Sequence, residues 1–213
     1  MTVAVKICGL KTPPAVAAAV SGGAAFAGFV FFEKSPRFLL PMEAGHLRAA
    51  LPAHIPAVAV TVDADDAALD AIIAGAAPDY LQLHGRESPA RVRAIKARTG
   101  LKVIKAIPVA VPDDLSAVAD FDKVADLLLF DAKAGADDGR PGGNARQFDW
   151  GLVAGAVTHA PFLLAGGLSA ANLKDAVAQS GARRVDVSSG VETAPGEKDP
   201  KLIAAFLKAA TTI

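Results

Sequence analysis

Short apolar runs recur along the chain, separated by longer segments in which alanine, leucine, isoleucine and valine repeat at helical spacing among polar residues. The apolar runs fall at 3–8, 27–32, 57–62, 80–84, 102–107, 127–131, 162–165 and 184–188. The helical segments fall between them, at 13–21, 42–50, 65–74, 89–98, 113–120, 150–156, 170–179 and 200–209. Thr12, Ser88 and Ser169 stand where helix N-caps are expected, and Pro13 and Pro89 suit a first helical turn. Eight strands alternating with eight helices, without a linker or a break in composition, predict parallel βαβ units. The expected architecture is α/β, a (β/α)8 TIM barrel forming a single domain over residues 1–213. An open doubly wound sheet is the alternative, but its usual GxGxxG signature does not follow the first strand.

Side chains on a strand alternate between faces, so parity sorts each run into two sets. Val3, Val5 and Ile7 oppose Ala4, Lys6 and Cys8; Leu81 and Leu83 oppose Tyr80, Gln82 and His84. Leu128 and Phe130 oppose Leu127, Leu129 and Asp131; Val185 and Val187 oppose Asp186 and Ser188. One set is aliphatic and suits packing on helices, while the other turns polar toward the C-terminal end of each strand. In a barrel that second face points inward, and its C-terminal rim is where active sites form. Cys8, His84, Asp131 and Ser188 are thus expected on one rim. Closure of the barrel makes the first and eighth strands neighbours, so Lys6 and Asp186 are expected to form a buried ion pair.

Composition narrows the function class. About half of the 213 residues are apolar (52%), and 22 basic residues balance 22 acidic ones. This balance, with no basic stripe, argues against a nucleic-acid or anionic-membrane partner. No apolar run is long enough to span a bilayer, no secretory signal pattern opens the chain, and one cysteine cannot form an internal disulfide. A cytoplasmic protein is expected. His46, His54 and His159 share no face, so no metal-ligand set is expected.

Two glycine-rich loops follow successive strands. AGGLS (165–169) contains Gly166 and Gly167; SSGVE (188–192) contains Ser188, Ser189 and Gly190. Loops after the seventh and eighth strands of such barrels often bind phosphate through backbone N–H groups. A phosphorylated sugar or similar metabolite is the expected ligand, held without lysine or arginine directly beneath the phosphate. A third stretch, DDGRPGGNARQFDW (137–150), is too long for a tight turn and has the character of a lid.

The chain resembles the phosphoribosylanthranilate isomerase family of tryptophan biosynthesis. The resemblance is carried by KICG (6–9), GFVFFEKSPR (28–37), QLHG (82–85), LFDAK (129–133), FDW (148–150), LAGGL (164–168) and VDVSSGVE (185–192), with PGEKDPKLI (195–203) leading into the last helix. It implies a (β/α)8 barrel that performs an Amadori rearrangement of a phosphosugar–anthranilate substrate without cofactor or metal. Cys8 then corresponds to the general base and Asp131 to the general acid. Arg37 is expected to meet the anthranilate carboxylate, and the backbone at Gly166–Gly167 and Ser188–Gly190 to hold the phosphate. His84 is assigned to substrate packing and Asp186 to substrate binding. A monomer or homodimer is compatible with the resemblance. One departure stands out: where the family usually reads GGTG, this chain reads GGNA (142–145).

The implied reaction needs an acid to protonate the ribose ring oxygen, opening the ring to a Schiff base, and a base to remove the proton at C2. An aspartate near its reference pKa of about 3.9 is a poor acid at neutrality, so Asp131 needs burial or a nearby anion. Cys8 needs a cation or hydrogen-bond donors beside its thiolate. Lys6 lies on the same face but is already matched with Asp186, which leaves that group open. Without the resemblance, Cys8 reads as a small buried hydrophobe, Asp131 as a loop cap and Arg37 as a turn residue. Other phosphosugar barrels fit less well: no His/Asp set suits a metal-dependent epimerase, and the fifth strand lacks the terminal aspartate of histidine-pathway isomerases. A thiol redox sensor would lack a resolving cysteine.

Overall fold

The computed structural model describes residues 3–135, 139, 141–156 and 158–213. Eight parallel strands close into a barrel in sequential order. They are β1 (Ala4–Cys8), β2 (Phe26–Val30), β3 (Ala57–Thr61), β4 (Tyr80–Leu83), β5 (Lys102–Val109), β6 (Leu127–Ala132), β7 (Phe162–Leu164) and β8 (Arg184–Val187). The helices are α1 (Pro13–Ser21), α2 (Pro41–Arg48), α3 (Asp66–Ala76), α4 (Pro89–Thr99), α5 (Val118–Phe121), α6 (Gly151–Ala154), α7 (Leu173–Ser180) and α8 (Pro200–Thr211). None is long and apolar enough to cross a membrane.

The parity argument is met at the seam. β1 pairs with β8 in a register that sets Lys6 opposite Asp186. The inner face builds the barrel interior from Val58, Ile104, Leu127, Leu129 and Leu163, with Phe26 and Tyr80 in edge contact below at 5.7 Å between ring centroids. The outer faces bury Val5, Ile7, Phe130, Val185 and Val187 against the helices. Above the interior, Cys8, Val30 and Val60 form a small apolar patch at the mouth.

Helix starts follow side-chain chemistry more closely than position. Ser88 accepts from Arg91 N as a cap, and Asp65 and Asp199 do the same for α3 and α8. Thr12 makes no side-chain cap bond. Ser169 is not the cap of α7, which begins at Leu173 after Asn172. The Asn172 side chain accepts from Ser169 N and donates to Gly167 O, so it holds the preceding loop in a turn and delays the helix. The segment expected as a helix over 113–120 starts as a 3-10 turn, Pro112–Ala117, because Asp114 accepts from Ala110 N and Val111 N and tightens the chain. The sixth helix shrinks to a single turn before Gly155. An unforeseen antiparallel hairpin, β9 (Glu192–Ala194) with β10 (Glu197–Lys198), follows β8.

Candidate active site

The C-terminal ends of the strands open into a cavity that continues into solvent. Cys8, Arg37, His84, Asp131, Asp186 and Ser188 all line it. Gly166, Gly167 and Ser189 line it too, so the predicted site residues converge on one mouth; Gly190 lies just behind, against the loop after β7.

On the β1–β8 side, Lys6 Nζ lies 2.9 Å from Asp186 Oδ1, with the lysine fully buried. Lys6 also lies beside Cys8, both packed against Gly28, so the sulfur has a cationic neighbour. Burial by itself would lower the Lys6 ammonium, but Asp186 and Cys8 outweigh it and hold the group above its usual range. Burial pushes the Cys8 thiol up, and Asp186 adds to the rise, while Lys6 and Lys198 pull it down. On balance the thiol is held above its usual range, with the Lys6 ammonium beside it. Gly28, opposite Cys8 in the β1–β2 register, makes room for this approach: a Cβ there would stand 3.0 Å from Lys6 Nζ and 3.3 Å from Cys8 Sγ.

Across the mouth, Asp131 ends the polar face of β6. Its Oδ1 accepts from Ala132 N at 2.9 Å, and its Oδ2 lies 3.3 Å from His84 Nε2. Gln82, one pleat below on β4, places its side-chain nitrogen 2.9 Å from His84 Nδ1. Gly142 closes over this contact, since a Cβ there would fall 2.7 Å from both Asp131 Oδ2 and His84 Nε2.

Arg37 is almost entirely buried. Its Nε and Nη2 each donate to Glu192 at 2.7 Å, and Nη2 also donates to Gly143 O at 3.2 Å. Its aliphatic stem lies on Gly9, where a φ of +81° and a Cδ 2.6 Å from any added Cβ both require glycine. Glu192 also receives Lys198, whose Nζ donates to Ser188 O and Oγ. The Glu192 carboxyl is held below its usual range: burial opposes ionisation, but Arg37 and Lys198 prevail. Burial likewise lowers the Lys198 ammonium, and Glu192 only partly offsets it. The mouth has cations besides Arg37, because Arg146 lines it and Lys198 sits behind it. Lys198 also braces the loop after β8 by donating to Ser188 O and Oγ.

The two glycine-rich loops meet edge to edge. A Cβ on Gly190 would collide with Leu168 O, and Gly166 and Gly167 have φ of +89° and +63°. Gln147 and Asn172 side chains donate to Gly167 O, and Trp150 Nε1 donates to Gly166 O at 3.3 Å. The stretch 141–150 thus packs over the mouth. Residues 137, 138 and 140 of the expected lid lie outside the described residues. Ala145, at the last position of GGNA, adopts φ +55°, in the left-handed region that suits the family's glycine.

Sequence reasoning missed Gln82, Glu192 and Lys198 as parts of the site. Parity already placed Gln82 on the inner face below His84. The acidic residue closing SSGVE and the lysine of PGEKDP gave no such signal, because the hairpin that brings them back to the mouth has no clear strand pattern. Among the described residues, no group of three His, Cys, Asp or Glu side chains is arranged to hold a metal ion.

Residues 5–209 match the family model for N-(5'-phosphoribosyl)anthranilate (PRA) isomerase. The N-(5'-phosphoribosyl)anthranilate isomerase of Parvibaculum lavamentivorans is 54% identical over 215 aligned positions, covering 99% of each chain. The solved phosphoribosyl anthranilate isomerase of Thermotoga maritima superposes with a TM-score of 0.88 at 32% identity, over 99% of this chain and 100% of the other. Another phosphoribosyl anthranilate isomerase, solved with reduced 1-(o-carboxyphenylamino)-1-deoxyribulose 5-phosphate, gives a TM-score of 0.84 at 30% identity over 99% and 100%.

Proposed function

The chain belongs to the N-(5'-phosphoribosyl)anthranilate isomerase family, and on that basis we propose that Cys8 is its general base and Asp131 its general acid. The protein is an isomerase of tryptophan biosynthesis, converting N-(5'-phosphoribosyl)anthranilate to 1-(2-carboxyphenylamino)-1-deoxyribulose 5-phosphate. The observation that carries the residue assignment is placement. Cys8 ends β1 and Asp131 is the last inward-facing residue of β6, strands separated by β7 and β8 around the barrel, yet both line one cavity.

The Asp131 proton passes to the ribose ring oxygen, whose bond to C1 breaks as the amino nitrogen forms the Schiff base. Cys8 as thiolate then takes the proton from C2, and the electron pair moves into the enolamine, which relaxes to the ketone. Lys6 balances the thiolate charge. The phosphate is held by backbone N–H groups at Gly166, Gly167, Ser188, Ser189 and Gly190, where the two loops come so close that a Cβ on Gly190 would strike Leu168 O. Arg37 faces the benzoate carboxylate, and Asp186 a sugar hydroxyl. The whole chain, 1–213, acts as one catalytic domain.

A base that begins as a raised thiol should show itself in the pH dependence. We expect the rate at which Cys8 is alkylated to climb with pH through neutrality and to level off only above about 8.5, the ordinary thiol value. Iodoacetamide should inactivate the enzyme with the same pH dependence, and the reduced product analogue should protect it. A plateau already reached by pH 7, or alkylated enzyme that still turns over, refutes the assignment of Cys8.

A further inference from the structure

We infer that His84 is a positioning residue for the acid: it presents its Nε2 proton to Asp131 and stabilises the carboxylate that forms when the ring oxygen is protonated. The inference rests on the assignment of Asp131 as general acid. It differs from the substrate-packing role that the sequence suggested for His84.

The orientation of the ring is set from behind. Gln82 is 1% exposed and its side-chain nitrogen stands 2.9 Å from His84 Nδ1. With that amide donating, Nδ1 is the acceptor and Nε2 carries the proton. Gln82 Oε1 is, among the described residues, the buried side-chain polar atom left without a partner. An apolar side chain in this position would leave no orphaned oxygen, so a glutamine here serves its neighbour rather than the core.

In front, the geometry is equally restricted. Oδ1 of Asp131 is engaged by Ala132 N, so Oδ2 is the oxygen available to carry the proton to substrate. That oxygen is the one 3.3 Å from His84 Nε2. The distance is long for a hydrogen bond and is of the kind that shortens as negative charge develops. Gly142 lies on the same contact, where any side chain would wedge against both groups. A donor aimed at charge that appears only during the reaction should act on kcat and leave KM nearly unchanged.

The test is steady-state kinetics of His84→Phe, His84→Gln, Gln82→Met and Asp131→Asn with N-(5'-phosphoribosyl)anthranilate. His84→Phe keeps a planar ring but loses the N–H. It should lower kcat about 10–100-fold, with KM within about threefold of wild type. His84→Gln restores a neutral N–H and should recover most of that loss. Gln82→Met should lower kcat by about tenfold, and tests the same relay if His84→Phe fails to fold. On an Asp131→Asn background, His84→Phe should change nothing further. Wild-type kcat with raised KM in His84→Phe, or unchanged kcat in Gln82→Met, overturns the inference, as does His84→Gln no better than His84→Phe. If Asp131→Asn turns over normally, the acid assignment itself has failed; if it is inactive while His84→Phe is normal, only the role of His84 falls.

Discussion

Replacing Lys6 by methionine removes the ammonium that both Asp186 and Cys8 face, while roughly keeping the side-chain volume. The pair it breaks is short and dry, at 2.9 Å with the lysine side chain 0% and the aspartate 8% exposed. Breaking a buried pair by removing one partner costs about 3–5 kcal/mol, since the remaining charge has no substitute. At about 2.1 cal/mol/K of unfolding entropy per residue, a 213-residue chain converts this into a fall in Tm of roughly 7–11 °C. Chemistry should suffer as well. Lys6 is one of the groups pulling the Cys8 thiol down, so its loss moves the thiol still higher and lowers kcat/KM further at neutral pH. The double variant Lys6→Met/Asp186→Asn separates the two effects. With no stranded charge it should regain most of the lost Tm, but not the activity. Melting followed by the fluorescence of Trp150, the single tryptophan, and initial rates at pH 7 give both readouts. A Lys6→Met protein with wild-type Tm would refute the pair as a stabilising element, and one with wild-type kcat/KM would refute Lys6 as the partner of the thiolate.

Gly190→Ala forces a Cβ onto Leu168 O and should spread the two phosphate loops, raising KM at least about tenfold in initial-rate assays while the barrel remains folded. Ala145→Gly relieves a left-handed alanine and should raise Tm by about 2 °C in a thermal melt, since the strain is on the order of 1 kcal/mol. Asp122 accepts from His159 N, Ala160 N and His159 Nδ1; burial would raise its carboxyl, but these donors hold it below the usual range. That contribution is fully present above the unfolded value of about 3.9 and is lost as pH falls through the lower folded value. The gap in Tm between wild type and Asp122→Asn should therefore be full at pH 7 and close below about pH 4.

The barrel was legible because parity is a local property with a global consequence. Alternation in β1, β4, β6 and β8 sorted inward from outward residues, and closure then demanded that Lys6 meet Asp186. Motifs placed Cys8, Asp131, Arg37 and the glycine loops at the same rim. What escaped was chemistry decided by chain return. Glu192 and Lys198 reach Arg37 and Ser188 only because β9 and β10 fold back, in strands too short to show periodicity. Arg37 was read as facing substrate alone, and the carboxylate that fixes its guanidinium was invisible. Ser169 looked like a cap, but Asn172, three residues later, competed for its backbone and won. The rise of the Cys8 thiol was equally hidden, since it depends on how completely the folded mouth excludes water.

The central claim is that the only cysteine of this chain takes a proton from C2 of the substrate. Turnover of Cys8→Ala and Cys8→Ser, measured alongside binding of the reduced product analogue, tests it most directly. Each variant should bind the analogue close to wild-type strength and lose at least about 10²–10⁴-fold in kcat, because a methyl group is no base and a hydroxyl a very weak one. A folded Cys8→Ala protein that binds the analogue and turns over at near wild-type rate would contradict the account and leave Cys8 as a packing residue.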